Sequence, residues 1–355
     1  MILTRRIGFE VELMAPPGRS RRTLGDDLAV RSGGHVRRVF HLDSEPSPVP
    51  GVEVFHHLTP GFEVFGAEGA PRALLVDDIT ITCAGAAGST VPGPEWYRIL
   101  CDDARLLRLV ALHADPEASA QKVLDPVATL FRVPVQVLPQ ALRVDDAAGA
   151  TIAVAVPLPP GRERVCEIVT PPLAAHHLQV LEGLLGPARE LGFTVPAEAA
   201  VHLHVDGAPF RNPAAFANLV RLFGHWRSAL WTVLGTNPAC QRLGPLPEAL
   251  LAMVDVDGGR PADGWAALQA AARATGVGKY HDVNVGGLLT DTPVRDTVEI
   301  RILPGSIDGA EIVRKAALVE ALLDLCLEDR PVPLPGSSDP GTAARELLTL
   351  AGALR

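Results

Sequence analysis

Two glutamates, Glu10 and Glu12, stand two residues apart in "GFEVEL" near the start of the chain. His202 and His204 repeat that spacing in "VHLHVD", and Glu299 and Arg301 repeat it in "TVEIRIL". Side chains alternate along a β-strand, so each pair shares one face while the intervening Val, Leu, Ile and Phe residues take the other. "CEIVTPPL" adds Glu167 just before a helical stretch, and "LVDDITI" adds Asp77 and Asp78, one of which must face the polar side. For any single strand the ordinary explanation is a face turned to water. A solvated face, however, usually mixes Thr, Lys, Arg, Ser and Gln. Here it reads Glu, Glu, His, His, Glu and Glu with one Arg, and gathered carboxylates repel unless something positive lies between them. A hard divalent cation such as Mg²⁺ or Mn²⁺, with oxygen ligands and an imidazole, resolves that conflict. Acids, histidines and an arginine around such ions suit phosphoryl chemistry, in which metal neutralises triphosphate charge and a guanidinium grips the transferring group.

These strands need a scaffold. "RALLVDDITITCAG" (72–85) reads as a strand, a helix is expected from about Pro94 to His113, and residues 150–173 read as two strands joined by a Pro-Gly turn. Helices are expected over 172–191, over 213–234 with Asn212 as N-cap and Pro213 at the first position, and over 309–327 after Asp308. Strand-like segments lie between them at 199–207, 279–289 and 296–305. The Gly- and Pro-broken region from about 15 to 75 reads as short strands and loops over a site more than as a separate core. Clean apolar/polar alternation with helices interspersed predicts an α+β fold, a mostly antiparallel sheet with helices packed on one face.

Composition narrows the functions. The chain has 355 residues, 47% hydrophobic and 21% charged, as in a folded globular protein. A net charge of −9 argues against non-specific nucleic-acid binding. Few aromatics, 5%, give no support to a sugar- or lipid-binding module. Five scattered cysteines without a CxxC pair fit a reducing cytoplasm rather than a zinc module or disulfide framework. No signal peptide or membrane span is expected from the apolar runs. Neither GxxxxGK[ST] nor GxGxxG occurs, so ATP would be held through metal rather than by a Gly-rich phosphate cradle.

"GFEVEL", "CEIVTPPL", "VHLHVD", "KYHDVNVGGLL" and "TVEIRILPGSID", in that order, resemble the amidoligase family. That family belongs to the carboxylate–amine ligase superfamily, with glutamine synthetase and glutamate–cysteine ligase. The match covers roughly residues 5–14 and 163–328, whereas 15–160 is similar only loosely, through "LVDDITI". The resemblance implies a curved antiparallel sheet forming a metal-lined funnel, with helices on its convex face. It implies a single catalytic domain over 1–330, with 15–160 as a variable substrate-side region; the tail 331–355 looks peripheral. It also implies that ATP phosphorylates a carboxylate and an amine displaces phosphate to form an amide. Carried over residue by residue, Glu10, Glu12, Glu167, His202 and Glu299 are metal ligands, and His204 lies near the nucleotide phosphates. Arg301 stabilises the transferring phosphoryl group, with Glu299 beside it in the catalytic pair. A further acidic ligand of some relatives has no clear counterpart, and Asp77 or Asp78 is the choice for it.

Lys279, one of three lysines, precedes a strand-like segment and is read either as solvated or as reaching a phosphate. "DVDGG" (255–259) lacks the rest of a calcium loop and reads as a turn. The leading expectation is therefore a cytoplasmic ligase using ATP and Mg²⁺ or Mn²⁺. It would join a carboxylate and an amine on an amino acid, peptide or natural-product intermediate. An amide hydrolase on the same site and a non-catalytic nucleotide- or peptide-binding relative are the alternatives.

Overall fold

The computed structural model describes residues 3–46, 54–82, 93–101, 103–240, 242–256, 264–293 and 295–352. Its elements in chain order are β1 (Ile7–Met14), α1 (Arg21–Ser32), β2 (His35–Pro46), β3 (Val54–Phe65), β4 (Pro71–Val76), β5 (Tyr97–Cys101), α2 (Ala104–His113) and α3 (Asp125–Phe131). There follow β6 (Gln136–Leu138), β7 (Ala141–Asp145), β8 (Thr151–Pro157), β9 (Val165–Val169), α4 (His177–Glu190), β10 (Ala200–Asp206), α5 (Pro213–His225) and α6 (Arg227–Leu234). The chain ends with α7 (Glu248–Val254), α8 (Trp265–Ala274), β11 (Val283–Asn284), β12 (Thr297–Pro304), α9 (Gly309–Cys326) and α10 (Pro340–Leu350). Two compact units result: Met1–Glu12, Thr170–Gly186 and Val195–Arg355 form the first, Leu13–Val169 and Pro187–Thr194 the second.

In the first unit the strands run β11-β12-β10-β1, all antiparallel. One side of these strands is core: Ile7, Phe9, Val11, Val201, Leu203, Val205, Val298, Ile300 and Ile302 are each at most 2% exposed. Burying such side chains supplies about 1.5–3 kcal/mol apiece, which fixes the register and so decides which residues share the other side. Asn212 caps α5 by accepting from the amides of Ala214 and Ala215, with Pro213 in the first turn. The helix expected over 213–234 breaks at Trp226, whose indole N–H donates to the Pro333 carbonyl at 2.8 Å. Asp308 caps α9 in the same way as Asn212.

A buried amide adds to the ties that hold the C-terminal segment. Asn218 lies with its NH₂ 3.3, 3.3 and 3.0 Å from the carbonyls of Cys326, Glu328 and Arg330, and its oxygen accepts from Val332 N–H at 2.8 Å. Asn218→Ala leaves these buried groups unpaired and should cost about 2 kcal/mol, read as a lower urea midpoint at unchanged slope.

The second unit carries the strand order β9-β4-β3-β5-β8-β7-β6, with β2 also paired to β3. It has its own core, with Leu58, Tyr97, Ile99, Leu107, Val110, Val123, Val127 and Val144 buried together. This corrects the expectation for residues 15–75. β2 and β3 form a hairpin paired from His35↔Phe65 to Pro46↔Val54, and Pro60 and Gly61 lie inside it opposite Phe40 and Val39. The expected helix from Pro94 begins only at Ala104, because Tyr97–Cys101 pairs with β3 and β8.

The α+β funnel is corrected as well. The sheet is antiparallel and mixed with helices, but it is open, neither curled nor closed into a funnel. Closure needs every edge strand to find a partner. Here β11, two residues long, pairs with β12 alone, β6, three residues long, pairs with β7 alone, and no ladder joins them among the described residues. Cys101, Cys166, Cys240 and Cys326 are buried. Cys83 and the 257–259 part of "DVDGG" lie outside the described residues. Among those residues no helix is long and apolar enough to cross a membrane.

Candidate metal centre

Strand register assembles the polar side of the first unit. Glu10 lies opposite His202 across the β1–β10 pair, and His204 lies opposite Glu299 across the β10–β12 pair. Asn284 of β11 lies opposite Glu299 on its other side. The β10–β12 register shifts between Val201 and Leu203, where the ladder is irregular. Far from facing water, Glu10, Glu12, His202 and Glu299 are buried, at 8, 1, 6 and 8% exposure.

The carboxylates are interleaved with positive groups and donors. Glu10 Oε2 is 3.2 Å from His202 Nδ1, and Glu10 Oε1 is 3.1 Å from His204 Nε2 and 2.7 Å from an Arg295 guanidinium nitrogen. His202 Nε2 lies 3.5 Å from Glu12 Oε1, and His202 Nδ1 lies 3.6 Å from Glu299 Oε1. Glu12 Oε2 accepts from the Ala200 amide at 2.7 Å, and Glu299 Oε2 accepts from the Asn284 side-chain amide at 2.8 Å. Arg301 donates to Glu299 Oε1. Glu10, His204 and Glu299 bring one ligand atom each within 4.8 Å of one another, so this trio could hold a metal ion.

Electrostatics keep the two carboxylates of that trio in a ligating form. Burial alone would push the Glu10 carboxyl up, but hydrogen bonds from His202 and His204 and the charge of those rings hold it well below the usual carboxylate range. Burial opposes ionisation of Glu299 as well, and the Arg301 guanidinium with the two histidines outweighs it, so that Glu299 is also lowered. His204 moves the other way: burial disfavours its charge, but contact with Glu10 raises it overall.

Glu167, in β9 of the second unit, pairs with Val76 of β4. Asp77 and Asp78 follow the end of β4, where Asp77 meets the Arg162 guanidinium at 2.5 Å and Asp78 accepts from the amide and hydroxyl of Thr80 at 2.6 and 2.8 Å. The Asp78–Thr80 bonds close a local turn, whereas the Asp77–Arg162 pair is a long-range contact. Lys279 is exposed, with its ammonium 5.2 Å from the centre of the Tyr280 ring. Asn284, Arg295 and Thr297, which bonds His204 Nδ1 at 3.2 Å, were not singled out by sequence pattern. Thr297 continues the alternation of Glu299 and Arg301 by one step, whereas Arg295 precedes β12 and carries no such signal.

A cleft of about 540 Å³ adjoins the cluster, lined by Arg5, Arg6, His204, Asp206, Asp296 and Thr297 among others. The approach of Arg295–Thr297 to the sheet depends on Gly287, because a Cβ there would meet the carbonyl oxygens of Arg295 and Thr297 at 2.8 Å each. Backbone cannot yield as a side-chain tip can. Gly287→Ala should displace this segment and lower turnover about a hundredfold without unfolding the chain, checked by activity beside thermal melting.

The family described as "Putative amidoligase enzyme" matches residues 3–323, nearly the whole chain. No curated protein matches the chain.

Proposed function

This chain belongs to the amidoligase family, and from that premise we propose that it is a ligase using ATP and Mg²⁺ or Mn²⁺ to join a carboxylate to an amine. The observation that supports this most is the Glu10–His204–Glu299 trio on three adjacent strands, with Arg301 against Glu299. Two lowered carboxyls and an imidazole make an oxygen-rich donor set, which suits a hard cation. When bound there, such an ion neutralises triphosphate charge and polarises the terminal phosphoryl group.

The protein's own groups have separate tasks in this reading. Glu10, His204 and Glu299 hold the ion. His202, between Glu10, Glu12 and Glu299, fixes the carboxylates in place. Arg301 keeps a buried Nε–H that has no hydrogen-bond partner among the described residues, and it offers this donor to the phosphoryl group. The carboxylate oxygen of one substrate takes the terminal phosphoryl group and ADP departs. The amine of the other substrate then attacks the acyl carbon, inorganic phosphate leaves with the C–O bond electrons, and the amine gives up a proton. The net result is one amide, ADP and phosphate. An amino acid, a peptide or a natural-product intermediate is the proposed substrate class.

The test is ADP formation by the purified protein with ATP and Mg²⁺ against pools of carboxylates and amines. Mass spectrometry would seek a product lighter than its two parts by one water. ADP release that requires both pools supports the ligase. Amide cleavage without ADP would replace it with a hydrolase on the same residues.

A further inference from the structure

Both oxygens of Glu10 are engaged. Oε2 meets His202 Nδ1, and Oε1 is shared by His204 Nε2 and the Arg295 guanidinium. A cation bound through Glu10 must take one of these oxygens. His202 is fixed in β10 with a side chain only 7% exposed, so it has nowhere to go. Arg295 is different: it precedes β12, its side chain is 54% exposed, and its flexible stem can swing. A guanidinium and a divalent cation on one oxygen repel each other strongly in a buried setting. Asp296 and Thr297, the next two residues, line the cleft that His204 also lines. The guanidinium therefore has a nearby place to move to.

Resting on the metal-dependent reading above, we infer that Arg295 competes with the divalent cation for Glu10 Oε1 and, once displaced, grips an anionic group of the substrate in the adjoining cleft. Cation binding and anion recognition are then coupled through one side chain. Arg295 is a substrate-gripping residue in the cation-bound protein and a counter-ion of Glu10 otherwise.

Mn²⁺ titration of the full-length protein, read as loss of the free-ion electron paramagnetic resonance signal, tests the competition. Arg295→Ala should bind Mn²⁺ about fivefold more tightly, since one partly exposed ion pair no longer opposes it. Arg295→Lys, which keeps the charge, should return affinity toward wild type. Arg6→Ala removes a cleft arginine outside the Glu10 ion pairs and should leave Mn²⁺ affinity at its wild-type value. An equal gain in Arg6→Ala, or no gain in Arg295→Ala, would overturn the inference while leaving the metal site standing. Wild-type protein that takes up no Mn²⁺, or an unaltered titration in Glu10→Gln, would remove the metal-dependent reading and the inference with it. At saturating Mn²⁺, binding of AMP-PNP and of L-glutamate then separates the two anion sources. A roughly tenfold loss in Arg295→Ala for AMP-PNP assigns a phosphate, and the same loss for glutamate assigns a carboxylate. Unchanged affinity for both would end the gripping role.

Discussion

Glu299→Gln should lower metal-dependent turnover by about a thousandfold and abolish Mn²⁺ uptake at this site. The amide has the shape of the carboxylate but not its charge. Glu299 accepts from Asn284 at 2.8 Å, receives Arg301, and lies 3.6 Å from His202. Gln keeps the first contact and forfeits the attraction in the other two. It also leaves Arg301, whose side chain is 11% exposed, without its counter-ion. Removing one member of a buried pair costs about 3 kcal/mol because the other charge stays desolvated. The variant should therefore unfold at lower urea as well as lose metal. Parallel Mn²⁺ and urea titrations separate the two effects. Normal Mn²⁺ uptake by a destabilised Gln variant would take Glu299 out of the ligand set and leave it only as a partner of Arg301.

Much of this centre was legible because a strand has a period of two. The alternations Phe9/Glu10, Leu203/His204 and Ile300/Arg301 sort core from site without any knowledge of pairing, and in each case the apolar member is buried. Caps were legible for a similar local reason: Asn212 and Asp308 bond amides only two and three residues away. What alternation could not supply was the neighbour across the sheet. His204 stands with Glu10 and Glu299 because of the register of β10 against β1 and β12, and the irregularity after Val201 has no marker in the sequence. Arg295 escaped notice because it belongs to no periodic segment. The hairpin of β2 and β3 was obscured by Pro60 and Gly61, which punctuate a sequence but are tolerated in this strand opposite Phe40 and Val39. The funnel came from resemblance alone. Closure depends on the long-range fate of edge strands as short as β11, which no local pattern records.

Arg301→Ala should leave Mn²⁺ uptake intact and still lower turnover about a thousandfold, which separates holding the ion from transferring the phosphoryl group. Arg301 sits two residues after Glu299 on the same face of β12 and bonds it directly. Glu299 nonetheless keeps Asn284 and the nearby His202 when the guanidinium is gone, so the carboxylate remains placed to ligate. The loss of a neighbouring positive charge also favours a cation. The lost function is the fork of N–H donors, which counts most where charge moves during transfer. A lysine restores the charge but not the planar pair of donors, so Arg301→Lys should recover little activity. Wild-type turnover in Arg301→Lys would mean that a point charge suffices and that the fork has no part in catalysis. Failure of Arg301→Ala to bind Mn²⁺ would instead make this arginine a positioning residue for Glu299, acting on the ligand and not on the phosphoryl group.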